Sequence, residues 1–217
     1  MPTTARPFPS YLSERYRAWR ALRFVENRAW YARLAQGGQH PRAMIVTCCD
    51  SRVEVANLFG AEPGDLFVVR NVANLVPPYE PDDQRHGASA ALEYAVTALK
   101  VAHVVVLGHS DCGGVAACCE MCERPDSAPR TTFVGPWMAM LAPAHAAVAA
   151  RHPDRPARLA ALERESVLVS LRNLETFPFV RDAVAAGMLT LHGAWIDIAE
   201  GRLHVFSPET RAFAPVD

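Results

Sequence analysis

Three short stretches, residues 43–48, 66–69 and 103–107, are almost wholly apolar, and they limit the fold more than any other feature of the chain. A strand with one wet face alternates apolar and polar residues. A run apolar at nearly every position suits a parallel strand covered on both faces. Stretches 189–196 and 202–206 also read as strands, split by a hairpin turn at Glu200-Gly201. Helical patterns lie between the runs: short at 53–58, Ala-rich at 87–99, apolar at three- and four-residue spacing over 135–150, and long and amphipathic over 155–174. Near the N-terminus, Tyr11, Tyr16, Trp19, Leu22, Val25, Trp30 and Leu34 recur at roughly helical spacing, which predicts one or two amphipathic helices. Pro63-Gly64, Pro77-Pro78 and residues 125–129 punctuate loops. Strand and helix in alternation predict an α/β fold, with a mostly parallel central sheet of about four parallel strands plus an antiparallel C-terminal strand, flanked by helices. No repeat or linker interrupts the pattern, so residues 1–217 are expected to form one domain, with residues 1–35 as a helical arm.

Composition narrows the function. Half of the 217 residues are apolar, ample for one core. Lys and Arg number 22 against 23 Asp and Glu, a net charge of −1, which argues against nucleic-acid binding or membrane anchoring through bulk basic charge. No apolar run approaches the ~20 residues of a membrane span. Residues 1–10 lack a basic head followed by an apolar segment, so no secretory signal is visible and a cytoplasmic protein is expected. In a reducing compartment, the six cysteines suggest metal ligation or catalysis before disulfides.

Two segments carry the chemistry, and each directly follows a buried-strand pattern: Cys48-Cys49-Asp50-Ser51-Arg52, and His109-Ser110-Asp111-Cys112-Gly113-Gly114. Ligands of open parallel sheets gather at the carboxyl ends of strands, so the two segments can meet in space. His-x-x-Cys offers a nitrogen and a thiolate from one turn, a pair suited to zinc, and a third ligand from the other segment gives Cys₂His with one tetrahedral position open, the arrangement of catalytic zinc. In an extended chain, side chains two apart share a face, which puts Cys48, Asp50 and Arg52 together and turns Cys49 away. An Asp50–Arg52 pair keeps the carboxylate ionised and acceptor-only. Beside a zinc-bound water, whose pKa the metal lowers to about 7, such a carboxylate orients the attacking oxygen. The chemistry expected is attack of zinc-bound hydroxide on a small electrophile.

The same residues resemble the signature of the β-class carbonic anhydrases, Cys-x-Asp-Ser-Arg followed downstream by His-x-x-Cys. The stretch Pro63-Gly64-Asp65-Leu66-Phe67-Val68-Val69-Arg70-Asn71-Val72-Ala73-Asn74-Leu75-Val76-Pro77-Pro78-Tyr79 resembles the plant-type branch, as do Ala91-Leu92-Glu93-Tyr94-Ala95-Val96 and Asn173-Leu174 through Pro178-Phe179-Val180-Arg181. The resemblance runs from about residue 35 to the C-terminal strands. It implies one Zn²⁺ per subunit on Cys48, His109 and Cys112, an Asp50–Arg52 dyad, and reversible hydration of CO₂ to bicarbonate and a proton. It implies a substrate pocket where two subunits meet, with Gln39, Phe67, Tyr94 and Gly113 as its residues. It further implies a homodimer, or a dimer-based higher oligomer, with N-terminal helices packing on the partner. In the other branch, a Trp three residues before the first ligand builds a bicarbonate site; Ile45 stands there in this chain and Thr47 precedes the ligand, so no such site is expected and Asp50 should stay off the metal near neutral pH.

Other readings of these residues remain. The same family includes hydrolases of carbonyl sulfide and carbon disulfide with the same ligands. A non-catalytic zinc or thiol module would close the fourth position, with Cys118, Cys119 or Cys122 as donors. Those three cysteines, which share helix faces at three- and four-residue spacing, read as small-hydrophobe packing, with a second metal or thiol site as the alternative. Gly113-Gly114 is attributed to close packing at a helix start, since no phosphate-loop pattern surrounds it.

Overall fold

A computed structural model of the chain describes residues 6–82, 86–126, 128 and 131–216. Residues 1–5 of the expected arm, and residues 127 and 129 of the expected 125–129 loop, lie outside the described residues. Backbone proximity divides the chain into two compact units, up to Gln39 and from His40 onward.

The first unit holds α1 (Ser10–Trp19) and α2 (Arg28–Gly37), joined through a wider helical turn at Arg20–Phe24. Tyr16, Trp19, Phe24 and Tyr31 pack as a small aromatic cluster within this unit. Gly38, at φ 76°, ends α2 in the left-handed region that a side chain would resist.

The second unit runs β1 (Ala43–Cys48), α3 (Val55–Leu58), β2 (Leu66–Asn71), α4 (Gly87–Glu93), β3 (His103–His109), α5 (Gly113–Glu123), α6 (Val134–Met138), α7 (Ala142–Ala149), α8 (Arg155–Leu174), α9 (Pro178–Ala185), β4 (Thr190–Asp197), β5 (Arg202–Ser207) and β6 (Ala212–Pro215). One sheet orders these strands β2-β1-β3-β4-β5-β6. The first four are parallel; β5 and β6 are antiparallel. The α/β expectation holds, with one strand more than foreseen. The turn at Gly201 takes φ 64°.

The runs of β1 and β3 are buried on both faces, as their pattern requires; β2, at the sheet's edge, is partly buried and leaves Val68 exposed. Met44, Val46, Val104 and Val106 join one core with Val167 and Leu174 of α8 and Val180 of α9. Ile45 and Leu107, from the alternate positions, join another with Val55, Ala194 and Ile196. Helix α8 starts on Asp154, whose carboxylate accepts from the Ala157 N–H at 3.0 Å, and matches its expected limits. It lies close on the sheet because Gly108 has no side chain: a Cβ there would meet Val167 at 2.8 Å. The expected helix over 135–150 is broken into α6 and α7, because Pro143 fits only the first turn of a new helix.

Candidate metal centre

β1 and β3 are adjacent and parallel, so their carboxyl ends, Cys48 and His109, open on the same edge of the sheet. The chain then turns at Ser110 and Asp111 and enters α5 after Cys112. Asp111 sits at φ 55°, a strained turn for a residue with a side chain. Ser110 fixes that turn to β4: its N–H donates to the Ile196 carbonyl at 2.9 Å, and its hydroxyl accepts from the Ile198 N–H at 2.9 Å. The metal-binding atoms of Cys48, His109 and Cys112 all lie within 4.8 Å of one another, and all three residues are buried. Cys49 is exposed and turned away.

The donor atoms suit a cation. The His109 Nδ1–H donates to the Ser110 carbonyl at 2.8 Å, which leaves a lone pair on Nε2. That Nε2 is buried without a hydrogen-bond partner. The two sulfurs stand 3.9 Å apart; thiolates at ~2.3 Å from a tetrahedral zinc sit roughly 3.8 Å apart. The hydrogen bond from Cys112 pushes the Cys48 thiol down to about 4, against burial and with help from the Ala73 N–H, while Cys112 is pushed up by the same partner and by burial. The pocket therefore gives up its first thiol proton readily.

Asp50 is held by Arg52. One carboxylate oxygen accepts from the Arg52 backbone N–H and Nε, each at 3.0 Å, and the other from Nη2 at 2.7 Å. These bonds keep its carboxyl well below the ordinary carboxylate range. Nη2 also donates to the Asp111 carbonyl at 3.0 Å, which ties the two strand-end segments together. Asp50 Oδ2 lies 4.0 Å from His109 Nε2. The expected grouping of Cys48, Asp50 and Arg52 is present, but strand alternation does not produce it. β1 ends at Cys48, and the Asp50–Arg52 contact is made across a turn.

Sequence reasoning missed the residues that hold this turn. The Arg70 guanidinium donates to three backbone carbonyls, Cys48 at 3.0 Å, Asp50 at 2.7 Å and Val53 at 2.6 Å. Its signal was a charge at the end of an apolar strand. Buried Glu163 accepts from the Cys112 N–H at 3.3 Å, and burial raises its pKa. Ser170 of α8 donates to the Asn74 carbonyl at 2.9 Å and accepts from the Val76 N–H at 3.1 Å, while Asn74 donates to Ser166 at 3.1 Å. These bonds hold Ala73 and Asn74 at φ 64° and 51°, in the loop whose Ala73 N–H donates to the Cys48 sulfur at 3.4 Å. Glu163, Ser166 and Ser170 interrupt the apolar stripe of α8 at three- and four-residue steps, which is the sign that could have revealed them.

The remaining expected residues fall elsewhere. Phe67 and Tyr94 pack with ring centroids 6.0 Å apart, and Tyr94 is half exposed. Phe67 is in register with Met44, four residues before Cys48 and about 13 Å along the strand, so the pair stands apart from the donors of its own chain. Gln39 is exposed and is the last residue of the first unit. Close packing explains Gly114, where a Cβ would meet Val72 at 2.7 Å, but not Gly113, where it would meet nothing within 4 Å. Cys118 and Cys122 are not part of the donor group.

Fold and donor set together define an α/β protein with a buried Cys-His-Cys group able to hold a metal ion at the carboxyl ends of parallel strands. The family model described as carbonic anhydrase matches residues 43–203. The chain is 43% identical over 176 residues to a carbonic anhydrase of Pseudomonas aeruginosa, covering 81% of this chain and 77% of that one. It superposes on the β-carbonic anhydrase CcaA with a TM-score of 0.86 and 29% identity, over 96% of this chain and 92% of that one. A tetrameric β-carbonic anhydrase of Sordaria macrospora matches with a TM-score of 0.76 and 28% identity, over 96% and 98% of the two chains. The chain belongs to the carbonic anhydrase family, in its β class, and is an enzyme of that family.

Proposed function

We propose that the enzyme hydrates carbon dioxide reversibly to bicarbonate and a proton at a zinc ion held by Cys48, His109 and Cys112. The observation that carries this reading is the buried, unpartnered His109 Nε2 beside two sulfurs 3.9 Å apart. Bound zinc would supply a Lewis acid that makes water a nucleophile near neutral pH. The two thiolates offset the charge of the ion, and the Ser110 carbonyl keeps the imidazole in the tautomer that ligates. Asp50 accepts the hydrogen of the attacking water and so aims its lone pair at carbon; Arg52 keeps that carboxylate ionised and off the metal. Leu75 and Val115 belong to the buried apolar cluster that also holds Cys48 and Cys112.

The pocket is completed by a second copy. Phe67 and Tyr94 lie too far along the sheet from their own tripod to wall it, and β2, which carries Phe67, is an edge strand. In a homodimer, or a dimer-based higher oligomer, they would face the partner's metal, with Gln39 donating to the substrate and Gly113 leaving room beside it. The N-terminal arm, residues 1–35, would pack on that partner. The stretch through Phe67 and Tyr79 and the buried Ile45 at the position of the other branch's Trp support the plant-type branch, without its rival's bicarbonate site. Among the described residues, no helix is long and apolar enough to cross a membrane. All six cysteines are free, which suits the cytoplasm.

Zinc analysis paired with stopped-flow CO₂ hydration tests the reading. Asp50→Asn should keep its zinc and lose about 10²-fold or more in rate. A variant of undiminished rate would refute the assigned role.

A further inference from the structure

A second cluster of metal-binding side chains lies on the helices behind the tripod. Cys119, Glu123 and His145 place a thiol sulfur, a carboxylate oxygen and an imidazole nitrogen within 4.8 Å of one another. Cys119 and Glu123 are one turn apart on α5, at the four-residue spacing that stacks side chains on one face. His145 comes from α7, which packs alongside.

Three features distinguish this cluster from ordinary packing. The His145 side chain is only 9% exposed, yet its Nε2 has no hydrogen-bond partner and points at Glu123 Oε1 from 3.5 Å. A buried polar nitrogen left in this state costs stability unless an ion or water meets it. Cys119 is fully buried, while the Glu123 side chain is 19% exposed and marks the solvent side by which an ion could enter. The carboxylate is also fixed in place: Arg155 Nε lies 3.3 Å from one oxygen, and Arg158 donates to the other. Burial pushes Glu123 up, but the hydrogen bonds from Arg158 and Arg155 outweigh it and hold the group ionised. A carboxylate has about four lone-pair sites, so two guanidinium contacts leave room for a cation.

We propose that Cys119, Glu123 and His145 form a second cation site, selective for a thiophilic divalent ion of the zinc and cadmium type. One sulfur, one imidazole and one carboxylate are the mixed donors such ions accept, and they leave a fourth tetrahedral corner for water. The Cys119 thiol, pushed up to about 11 by burial and then by Glu123, keeps its proton while the site is empty. On binding, the sulfur–metal bond forms as that proton passes to solvent, with no change of oxidation state. The nearby guanidinium groups oppose the incoming charge, and Glu120, 3.7 Å from Arg155, offsets part of that opposition. The site should therefore bind more weakly than the Cys48–His109–Cys112 tripod.

The test is metal content of the full-length protein after zinc loading and removal of free ion. Wild type should carry about two zinc ions per chain, and Cys119→Ser and His145→Gln about one each, with CO₂ hydration within about twofold of wild type. A wild type with about one ion, retained in both variants, overturns the proposal. The tripod is judged separately by Cys48→Ser, which should also drop to about one. Unchanged zinc in Cys48→Ser, with loss in Cys119→Ser, would sink the tripod and leave the second site standing. Cadmium NMR of the cadmium-loaded wild type needs no variant to fold: two resonances support the second site, and one overturns it.

Discussion

The tripod and the α5–α7 cluster are built from the same residue types, yet their backbones differ. At the tripod, the donors come from a strand end, a second strand end and a strained turn. They are locked by Arg70, Glu163, Ser110 and the Ser166–Ser170 pair, and Ala73, Asn74 and Asp111 are held at positive φ. In the helical cluster, Cys119, Glu123 and His145 sit on regular α5 and α7 with ordinary backbone. Their charges differ as well. Around the tripod, Asp50 is paired with Arg52 while Arg70 holds the adjoining carbonyls, whereas Glu123 faces two arginines directly. The comparison teaches that backbone strain accompanies the site assigned to chemistry, while a regular helix face suffices for a weaker, passive one.

Removing a tripod donor should have the largest effect. Cys48→Ser or His109→Ala should bring CO₂ hydration down to background, since the ion and the nucleophile are lost together; stopped-flow assays with zinc analysis check this. Next comes Arg52→Ala, expected to keep zinc and lose about 10-fold or more in rate, because Asp50 is then no longer held off the metal. Retention of full rate would mean that the Asp50–Arg52 contact is only an ordinary surface pair. Ser170→Val probes the strained loop by removing both the bond to Asn74 and the one to Val76. About 1–3 kcal/mol of stability should be lost, read as a fall in thermal midpoint, with zinc retained.

The pH profile gives a smaller effect. The native pKa of Asp50 lies below its unfolded value. Its ionised form therefore stabilises the fold above the usual carboxylate range, and that contribution is lost only as pH falls through the depressed native value. Between pH 5 and 8 its protonation changes nothing, so about half or more of the plateau rate should be present at pH 7. An enzyme silent at pH 7 and active only above about pH 8 contradicts an Asp50 fixed by Arg52. The smallest effect belongs to Cys119→Ser, with hydration within about twofold of wild type, which would separate the two clusters by function.

Much of this was readable before any coordinates. The apolar runs placed β1, β2 and β3, although only β1 and β3 are buried on both faces and the edge strand β2 leaves Val68 exposed. The signature segments after β1 and β3 named the residues that the structure brings together, Cys48, His109 and Cys112, and the Asp50–Arg52 pair. Other parts were hidden for physical reasons. β6, Ala-Phe-Ala-Pro, is too short for a periodic signal, and its Pro215 lies at the sheet's edge, where a missing N–H is tolerated. Arg70 and Glu163 act through backbone groups of other segments, contacts that local spacing does not encode. Ser166 and Ser170 were legible only as gaps in the stripe of α8. Cys119, Glu123 and His145 come from two helices whose juxtaposition depends on how α7 restarts after Pro143, so only the α5 half of that cluster could be suspected.

The most direct measurement is anomalous X-ray scattering from a crystal of the zinc-loaded enzyme. A strong zinc peak is expected ~2.3 Å from the sulfurs of Cys48 and Cys112 and ~2.0–2.1 Å from His109 Nε2, with water at the fourth position and Asp50 still on Arg52. A pocket without such a peak after loading, or one whose fourth position is filled by a protein side chain at neutral pH, contradicts the account.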